Sequence, residues 1–425
     1  MAFGEGDDTH TSVLLGWSLE DIAEDCKVAI WAEDLPLDLF SVKPFAQIWR
    51  KQAYRTVLDG LKYDSEYHYS VTCRNGQEQA AKQYSFRTNP GNRDNVTLIV
   101  LGDWSTSRTG DATNPQHTLT PKPHILTPLL QESHFSGIWH LGDLAYDLFS
   151  NRGARGDEFL RDIEPLAAKH PYMPTVGNHE LARLFQDFMQ RFALPGKGLY
   201  WSLGIGKAQV ISFCTEFDYN AMKPLLFPRD QSFFERMQAA QLSWLQAELT
   251  KAASNRSTRP WVILMGHKPL YCSLNEESEM IMTVCGLQAS VMRRAYEDLI
   301  VTYGVDLALF GHVHLYERLL PTAYDKVVGE FNKSSTVFLD PKAPIYIING
   351  VAGNLENESV VMKVSKTPGI WTALQSESLG YGRLNIVNST HLQYVQYAFG
   401  QSQFDPADAP LVKRVEDSVW VVRTN

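Results

Sequence analysis

Short alternating runs of apolar and polar residues fill the beginning of the chain. The segments TSVLLGWS, CKVAIWA, EYHYSVTC and QYSFRTN are typical of strands separated by polar turns. In the stretch TVLDGLKYDSEYHYSV, the spacing of Leu58, Leu61, Tyr67 and Tyr69 is typical of the corner of a fibronectin-III-like sandwich. The Pro/Gly/Asn-rich NPGNRDN then resembles a linker. The pattern predicts an all-β, fibronectin-III-like domain over residues 1–92.

From residue 93 onward, apolar strands alternate with helical segments. The continuous apolar runs in VTLIVLGDW, SGIWHLGDLAYD, PWVILMGHKPLY and VDLALFGHVH are typical of buried strands. QLSWLQAELTKAAS and VMRRAYEDLIVTYG predict helices, and LYWSLGIGKAQVISFCTE predicts a hairpin that turns between Gly204 and Gly206. Further strands follow in APIYIINGVAG, GYGRLNIVN and HLQYVQYAF. Residues 93–425 therefore form, by prediction, an α/β body with a β-rich C-terminal segment.

Composition and charge narrow the possible partners. A chain of 425 residues favours two domains, and 44% hydrophobic residues suffice for a large core. The net charge of −9, without a Lys/Arg stripe, argues against nucleic acid. Small anionic substrates remain open, because a bound cation can reverse the local field. No apolar run reaches the roughly 20 residues of a membrane span, so none is predicted, and the oligomeric state stays open.

Five Asn-x-Ser/Thr sequons favour a protein of the secretory pathway, either secreted or lysosomal/vacuolar. These sequons begin at Asn95, Asn255, Asn332, Asn357 and Asn388. The first ten residues lack a basic-then-apolar signal segment. We therefore expect that the signal has been removed from this chain.

The five cysteines are compatible with the same compartment. Cys26 and Cys73 lie on likely strands of the small domain and could pair, and Cys272 and Cys285 could close a short loop. Cys214 would then be left over. Five reduced, buried thiols are an equally good interpretation, so the sequence leaves the pairing open.

Five apolar runs end in glycine followed by a polar residue suited to a cation. These polar residues are Asp103, Asp143, Asn178 followed by His179, His267, and His312 followed at two positions by His314. Sites in α/β sheets form beyond the carboxyl ends of the strands, so these distant residues can converge. His312 and His314 would face one spot, because residues two apart on an extended segment point the same way. Carboxylate, amide and imidazole together suit hard and borderline cations.

A bridging carboxylate is what a pair of cations about 3.5–4 Å apart requires. Asp143 is the best candidate, because potential ligands lie on both sides of it in the sequence. Tyr146 follows three positions later, and a phenolate ligand favours a trivalent iron. Taken alone, Asp103 is more often a turn residue and a lone histidine is more often simply packed; the full ordered set favours a metal site.

The ordered set GD…GDLAY…GNHE…GHKPLY…GHVHLYER resembles the calcineurin-like metallophosphoesterases, and within them the purple acid phosphatases. The resemblance covers nearly the whole chain and includes FRTNP, QLSWLQAEL, IYIINGVAGN and YGRLNIVNSTHL. It implies an α/β metallophosphoesterase sandwich, with two mixed β-sheets flanked by helices, behind the N-terminal all-β fibronectin-III-like domain.

The resemblance also implies two metal ions with a shared ligand. The first, Fe(III), would take Asp103, Asp143, Tyr146 and His314. The second, a divalent Zn, Fe or Mn, would take Asp143, Asn178, His267 and His312. Asp143 would bridge the two ions, and the alternation in HVH would send one imidazole to each.

The implied activity is that of an acid phosphatase, which hydrolyses small phosphomonoesters by attack of a metal-bound hydroxide. His179 and Asp143 would be the catalytic residues. His179 would hydrogen-bond a phosphate oxygen or protonate the leaving group, or else only support the ligands from behind. Glu180 is interpreted as structural, in a position to orient His179. The alternatives are a phosphodiesterase or nucleotide hydrolase on the same metal core, and a non-catalytic, metal-stabilised binding protein.

Two features depart from the family pattern. The first motif is GDWS instead of GDxG, so we expect Trp104 to bring a bulkier group near the floor of the metal site. The loop LNEESEMIMTVC lacks the paired histidines of plant members and is acidic, with Glu276, Glu277 and Glu279. Replacement contacts could come from His117 and His124, although exposed loop residues are the simpler interpretation.

Overall fold

The computed structural model describes most of the chain. The described residues are 1–6, 10–19, 26–33, 35–49, 51–73, 82–106, 125–196, 198–221, 231–278, 283–354, 362–402 and 412–424.

Eight strands near the N-terminus form two four-stranded antiparallel sheets. They are β1 (Ala2–Gly6), β2 (His10–Leu19), β3 (Cys26–Ala32), β4 (Leu35–Val42), β5 (Pro44–Ile48), β6 (Lys51–Lys62), β7 (Glu66–Cys73) and β8 (Gln83–Arg87). The sheet orders are β1-β2-β6-β5 and β4-β3-β7-β8. The predicted all-β character of this region is thus present in the structure.

One apolar core joins these two sheets. Val13 on β2 and Leu58 on β6 meet Val28 on β3 in a single buried cluster, because alternate residues of each strand face inward. The Cys26–Cys73 disulfide joins β3 to β7 and confirms the first predicted pairing. This small body therefore has its own core and its own covalent link.

Two seven-stranded mixed sheets and flanking helices make up the larger body. The first sheet contains β9 (Val96–Leu101), β11 (Gly137–His140), β13 (Tyr172–Pro174), β21 (Val337–Leu339), β24 (Ser378–Ile386), β25 (His391–Ser402) and β26 (Arg414–Val422). The second contains β14 (Trp201–Ile205), β15 (Ala208–Ser212), β16 (Trp261–Met265), β17 (Leu307–Phe310), β18 (Tyr316–Leu319), β22 (Ile345–Asn349) and β23 (Thr372–Ser376). Their orders are β13-β11-β9-β24-β25-β26-β21 and β14-β15-β16-β17-β22-β18-β23.

Short pairs and helices complete the described part of this body. The pairs are β10 (Trp104–Ser105) with β12 (Leu144–Ala145) and β19 (Thr322–Ala323) with β20 (Lys326–Val327). The helices are α1 (Leu126–Leu130), α2 (Ala154–Ala167), α3 (Gln186–Arg191), α4 (Glu216–Ala221), α5 (Gln231–Ser254) and α6 (Ala289–Thr302), with a 3-10 turn at Asn178–Glu180 and a π-turn at Val284–Gln288. None of the described helices is long and apolar enough to cross a membrane.

The second sheet lies between two apolar cores. Along β16, Ile263 and Met265 belong to the core shared with the first sheet, whereas Val262 and Leu264 join a core with Met292 of α6. Both faces of the strand are buried, which explains the continuous apolar run WVILM. The prediction of two mixed sheets flanked by helices is confirmed.

The structure extends the sequence-based elements in two places. Helix α5 begins at Gln231 instead of Gln241, because Phe234 is buried and continues the helix's apolar face. Strand β26, which was not predicted, pairs antiparallel with β25. The hairpin β14–β15 turns at Gly206, as predicted.

We expect Ile347→Ala to lower the free energy of unfolding by about 2–5 kcal/mol, because it leaves a cavity between the two large sheets. Ile347 is fully buried on β22. Ile370→Ala removes the same atoms from a side chain that is 65% exposed, so it should change stability by less than about 0.5 kcal/mol. Urea denaturation of both variants checks this, and equal losses would contradict the described packing.

Candidate metal centre

The carboxyl ends of five strands from both large sheets meet in one place. Strands β9, β11 and β13 of the first sheet lead to Asp103, Asp143 and Asn178. Strands β16 and β17 of the second sheet lead to His267 and to the His312–His314 pair. Sequence-distant side chains converge because parallel neighbours end at the same edge of a sheet.

Within the described part of the chain, two groups of side chains could hold a cation, and the first consists of Asp103, Asp143 and His314. One potential ligand atom from each lies within 4.8 Å of the other two, and all three side chains are buried. The hydroxyl of Tyr146 lies 3.2 Å from Oδ1 of Asp103 and 2.9 Å from Nε2 of His314. The structure thus brings together all four residues predicted for the iron site.

Asp143, His267 and His312 form the second group, so Asp143 belongs to both. Nε2 of His267 lies 3.0 Å from Oδ2 of Asp143 and 3.2 Å from Oδ1 of Asn178. Nδ1 of His267 faces the carbonyl oxygen of Leu141 at 2.7 Å, which fixes the ring and points its other nitrogen at Asp143. The four residues predicted for the second ion are therefore also together.

The backbone is strained at several of these residues. Asp103, Asp143, Tyr146 and His312 have φ values of 60°, 56°, 51° and 68°. Left-handed φ is uncommon for residues other than glycine and is costly unless the surroundings impose it. Such outliers are concentrated at functional sites, where the surrounding structure holds the strained conformation.

Close backbone approach explains two of the glycines that precede the polar residues. A Cβ at Gly177 would lie 2.2 Å from Oδ1 of Asp143, and one at Gly311 would lie 2.5 Å from Oδ2 of Asp103. Any larger residue would displace a carboxylate from the site.

Opposite charges and burial shift the pKa values of three of these side chains in different directions. Burial alone would raise the pKa of Asp143, but the imidazoles of His267 and His179 outweigh it and hold that pKa well below its usual range. Burial lowers the pKa of His267, yet the Asp143 carboxylate raises it overall to about 9. Burial and the nearby Lys268 charge lower the pKa of His312, which favours its neutral, metal-binding form.

His179 lies at the edge of the site with its ring fixed from one side. Its Nδ1 is 2.9 Å from Oδ1 of Asp147, and its Nε2 is 3.9 Å from Oδ2 of Asp143. The ring centroid is 4.5 Å from that of Tyr146. Sequence reasoning missed Asp147, whose signal was only its place at the end of GDLAYD.

Glu180 holds the backbone of the two neighbouring loops. Its buried carboxylate accepts hydrogen bonds from the N–H groups of Asp143, Leu144 and Gly177 at 2.8–2.9 Å. Burial and the Asp143 charge raise the pKa of Glu180 to about 8. Its structural role agrees with the sequence interpretation, but the carboxylate hydrogen-bonded to the His179 ring is that of Asp147.

A buried ion pair supports Asn178. Nζ of Lys268 lies 2.6 Å from both carboxylate oxygens of Glu216 and 3.3 Å from Oδ1 of Asn178. Lys268 and Glu216 are at most 2% exposed. This pair positions the amide of Asn178 and adds positive charge beside the second group. Sequence reasoning missed it, although Lys268 directly follows His267 in GHKPLY.

Two predictions about the rim have different outcomes. Trp104 does not crowd the floor of the site: its ring turns into the core, 5.8 Å from the ring of Phe159 and 6.3 Å from that of His140. The parallel pairing of β10 with β12 holds Trp104 and Ser105 in this position. His117, His124 and Glu279 lie outside the described residues, whereas Glu276 and Glu277 are exposed.

A residue without a sequence signal also reaches the site. Oε1 of Gln288 lies 3.0 Å from Nε2 of His312, and Gln288 is buried. It belongs to the π-turn that carries Cys285, and Cys285 is bonded to Cys272. This disulfide confirms the second predicted pairing, and Cys214 is the buried free thiol.

Comparison with known proteins agrees with this geometry. Residues 96–316 match the family model "Calcineurin-like phosphoesterase", and residues 343–403 match "Iron/zinc purple acid phosphatase-like protein C". Human acid phosphatase type 7 is 36% identical over 298 residues, which cover 69% of this chain and 62% of the relative. The chain thus spans less than two thirds of the length of that relative.

Longer matches involve plant proteins. The Fe(3+)-Zn(2+) purple acid phosphatase 12 of Arabidopsis thaliana is 26% identical, over 87% of this chain and 71% of the relative. The structure of a purple acid phosphatase from yellow lupin seeds has the same fold, with a TM-score of 0.75 at 18% identity over 99% of this chain and 74% of that one. The C-terminal part of this chain, residues 343–403, is similar to the iron/zinc purple acid phosphatases, and the chain belongs to the calcineurin-like phosphoesterases.

Proposed function

We propose that this protein is a dinuclear-metal acid phosphatase that hydrolyses small phosphomonoesters. The observation that carries the proposal is the pair of buried ligand groups that share Asp143. A shared carboxylate between two groups of imidazole, carboxylate and phenol oxygen is the donor set that a pair of adjacent cations requires. The fold family and the name of the human relative support the same activity.

The proposed ligands divide between two ions. The first ion takes Asp103, Asp143, Tyr146 and His314. The second takes Asp143, Asn178, His267 and His312. The support for this division is that Tyr146 contacts Asp103 and His314, whereas Asn178 contacts His267.

The proposed metals are Fe(III) at the first position and a divalent Zn, Fe or Mn at the second. A phenol oxygen beside two carboxylates favours a hard, trivalent ion. Two imidazoles with one amide oxygen suit a borderline divalent ion. The Arabidopsis relative is named an Fe(3+)-Zn(2+) purple acid phosphatase, which supports this choice of metals.

The side chains at the site have distinct proposed roles in the reaction. Bound cations would supply Lewis-acid chemistry, offsetting the charge of the phosphate group and lowering the pKa of water. Asp143 would hold the two positions together, and Lys268 would hold the amide oxygen of Asn178 in place. His179, with Nδ1 fixed by Asp147, would present Nε2 to the leaving-group oxygen and deliver a proton to it.

The N-terminal body, residues 1–92, is proposed to be a fibronectin-III-like domain beside a catalytic domain of residues 93–425. Support comes from its two sheets, and from the Tyr67 hydroxyl, which accepts a hydrogen bond from the N–H of Lys62 at 3.1 Å as in a tyrosine corner. The two disulfides favour an oxidising compartment, which supports a secreted or lysosomal/vacuolar location.

Turnover of a chromogenic phosphomonoester, compared with the corresponding diester at acid pH, tests the proposed activity. We expect metal analysis to give two ions per chain, and we expect the monoester to be hydrolysed faster. Faster turnover of the diester would favour the phosphodiesterase alternative. No turnover of either ester at full metal content would favour the binding-protein alternative.

Asp143→Asn should abolish hydrolysis and lower the metal content, because one amide oxygen cannot bridge two cations as a carboxylate does. We expect the loss in kcat to exceed the roughly 10²–10³-fold effect of removing one electrostatic donor. Steady-state kinetics and metal analysis measure both effects. The same change at the exposed Asp59 is the control; full activity in Asp143→Asn would refute the bridge.

Tyr146→Phe should remove the visible absorption of the iron-loaded protein, because the phenolate that donates charge to Fe(III) is lost. Some hydrolysis should persist, since Asp103, Asp143 and His314 remain. Absorption spectra at matched iron content check this. Tyr324→Phe, at a side chain that is 51% exposed, should keep the colour; a coloured Tyr146→Phe protein would exclude the phenolate ligand.

His179→Ala should lower kcat by roughly 10²–10⁴-fold on an alkyl phosphate, the usual contribution of a positioned general acid. A nitrophenyl phosphate should be affected less, because its leaving group needs no proton. Asp147→Asn should show the same preference with a smaller loss, since it only positions the ring. Equal losses on both esters would argue against proton delivery by His179.

A further inference from the structure

Gln288 is placed at the second cation position by a local departure from α-helical geometry. It is the last residue of the π-turn, and its backbone N–H donates to the carbonyl oxygen of Thr283 at 3.0 Å. Its side chain is only 7% exposed, and its amide oxygen meets a ring nitrogen of His312 at 3.0 Å. Single π-turns are frequent at functional sites, because they redirect one side chain without ending the helix.

Two ties hold this turn and helix α6 against the segment that follows β16 and contains His267. The Cys272–Cys285 disulfide joins the turn to the segment that follows β16. A guanidinium nitrogen of Arg293, on α6, donates to the carbonyl oxygen of Leu270 in the same segment at 2.7 Å. The position of the Gln288 amide is therefore fixed by a covalent bond on one side and by a hydrogen bond on the other.

The chemistry of the amide indicates what it would contact. The Gln288 oxygen meets Nε2 of His312, and a cation on that nitrogen would break this contact. The amide can then turn about its terminal bond and present N–H to an oxygen bound at the second position. This group is a neutral donor, so it favours an oxyanion without adding charge.

We propose that Gln288 is a specificity-determining residue that donates a hydrogen bond to a terminal oxygen of the bound phosphate group, and that the Cys272–Cys285 disulfide holds it there. The inference rests on the proposed function and narrows its substrate class. A phosphomonoester has three terminal oxygens: two can face the cations and the third can face Gln288. In a diester the third position carries a second ester group, which cannot accept the bond as an anion.

Phosphate affinity and ester preference of the metal-loaded protein test this role. Gln288→Glu keeps the shape of the side chain but replaces the donor with a carboxylate, and Gln288→Ala removes the group. We expect either change to weaken binding of inorganic phosphate by roughly 10- to 100-fold, the worth of a hydrogen bond to a charged group. The ratio of kcat/KM for monoester over diester should fall by a similar factor, with metal content unchanged.

Leu287→Ala is the matched control, because Leu287 is the preceding residue of the same turn and is 53% exposed. It should keep wild-type phosphate affinity. The paired change Cys272→Ser with Cys285→Ser should weaken phosphate binding in the direction of Gln288→Ala. Calorimetry measures phosphate binding, metal analysis follows the ions, and thermal unfolding reports on the fold.

Unchanged phosphate affinity and ester preference in Gln288→Glu would overturn the proposal. Loss of the second ion in Gln288→Ala would also overturn it, because Gln288 would then be a metal ligand. A wild-type protein that binds phosphate through Gln288 without hydrolysing any ester would refute the proposed activity and leave the Gln288 contact standing. The two failures are therefore distinguishable.

Discussion

The burial of two neighbouring carboxylates is the constraint on which the rest of this site depends. Asp103 and Asp143 are at most 1% exposed and belong to one group of potential ligands. Ionised carboxylates without partners are costly in such surroundings. The His267 imidazole offsets part of the charge, whereas burial favours the neutral form of His312. The site therefore holds an excess of electron-pair donors over protons, and cations are the groups that balance it.

Such a site needs a rigid frame, because repulsion between its donors would otherwise open it. Parallel strands from two sheets supply the frame, and the left-handed turns at Asp103 and Asp143 bring the carboxylates inward at a cost in backbone energy. The β10–β12 pair and the three N–H bonds to Glu180 hold those turns. Stability elsewhere in the sheets thus offsets strain at the strand ends.

The predicted ligand positions followed from local signals. An apolar run that ends in glycine and a polar residue marks a strand end, and the sheet topology then brings Asp143 and His267 together. Other features had no local signal. Asp147 meets His179 from a different loop, and Gln288 arrives through a turn fixed by a distant cysteine. Trp104 lies away from the site because its ring points from the two-residue strand β10 into the core, and the motif GDWS contains no signal for that direction.

Cation binding and discrimination among esters are assigned to different parts of the fold. The strand ends determine where cations can bind. Substitution is restricted there, since a Cβ at Gly177 would clash with the Asp143 carboxylate. Discrimination among esters must then come from side chains outside the sheets. At this rim the side chain of Gln288 is an amide, which does not titrate. An imidazole in its place would change its charge near neutral pH. The Gln288 amide therefore keeps the same charge across the acid range, and its N–H groups remain donors throughout.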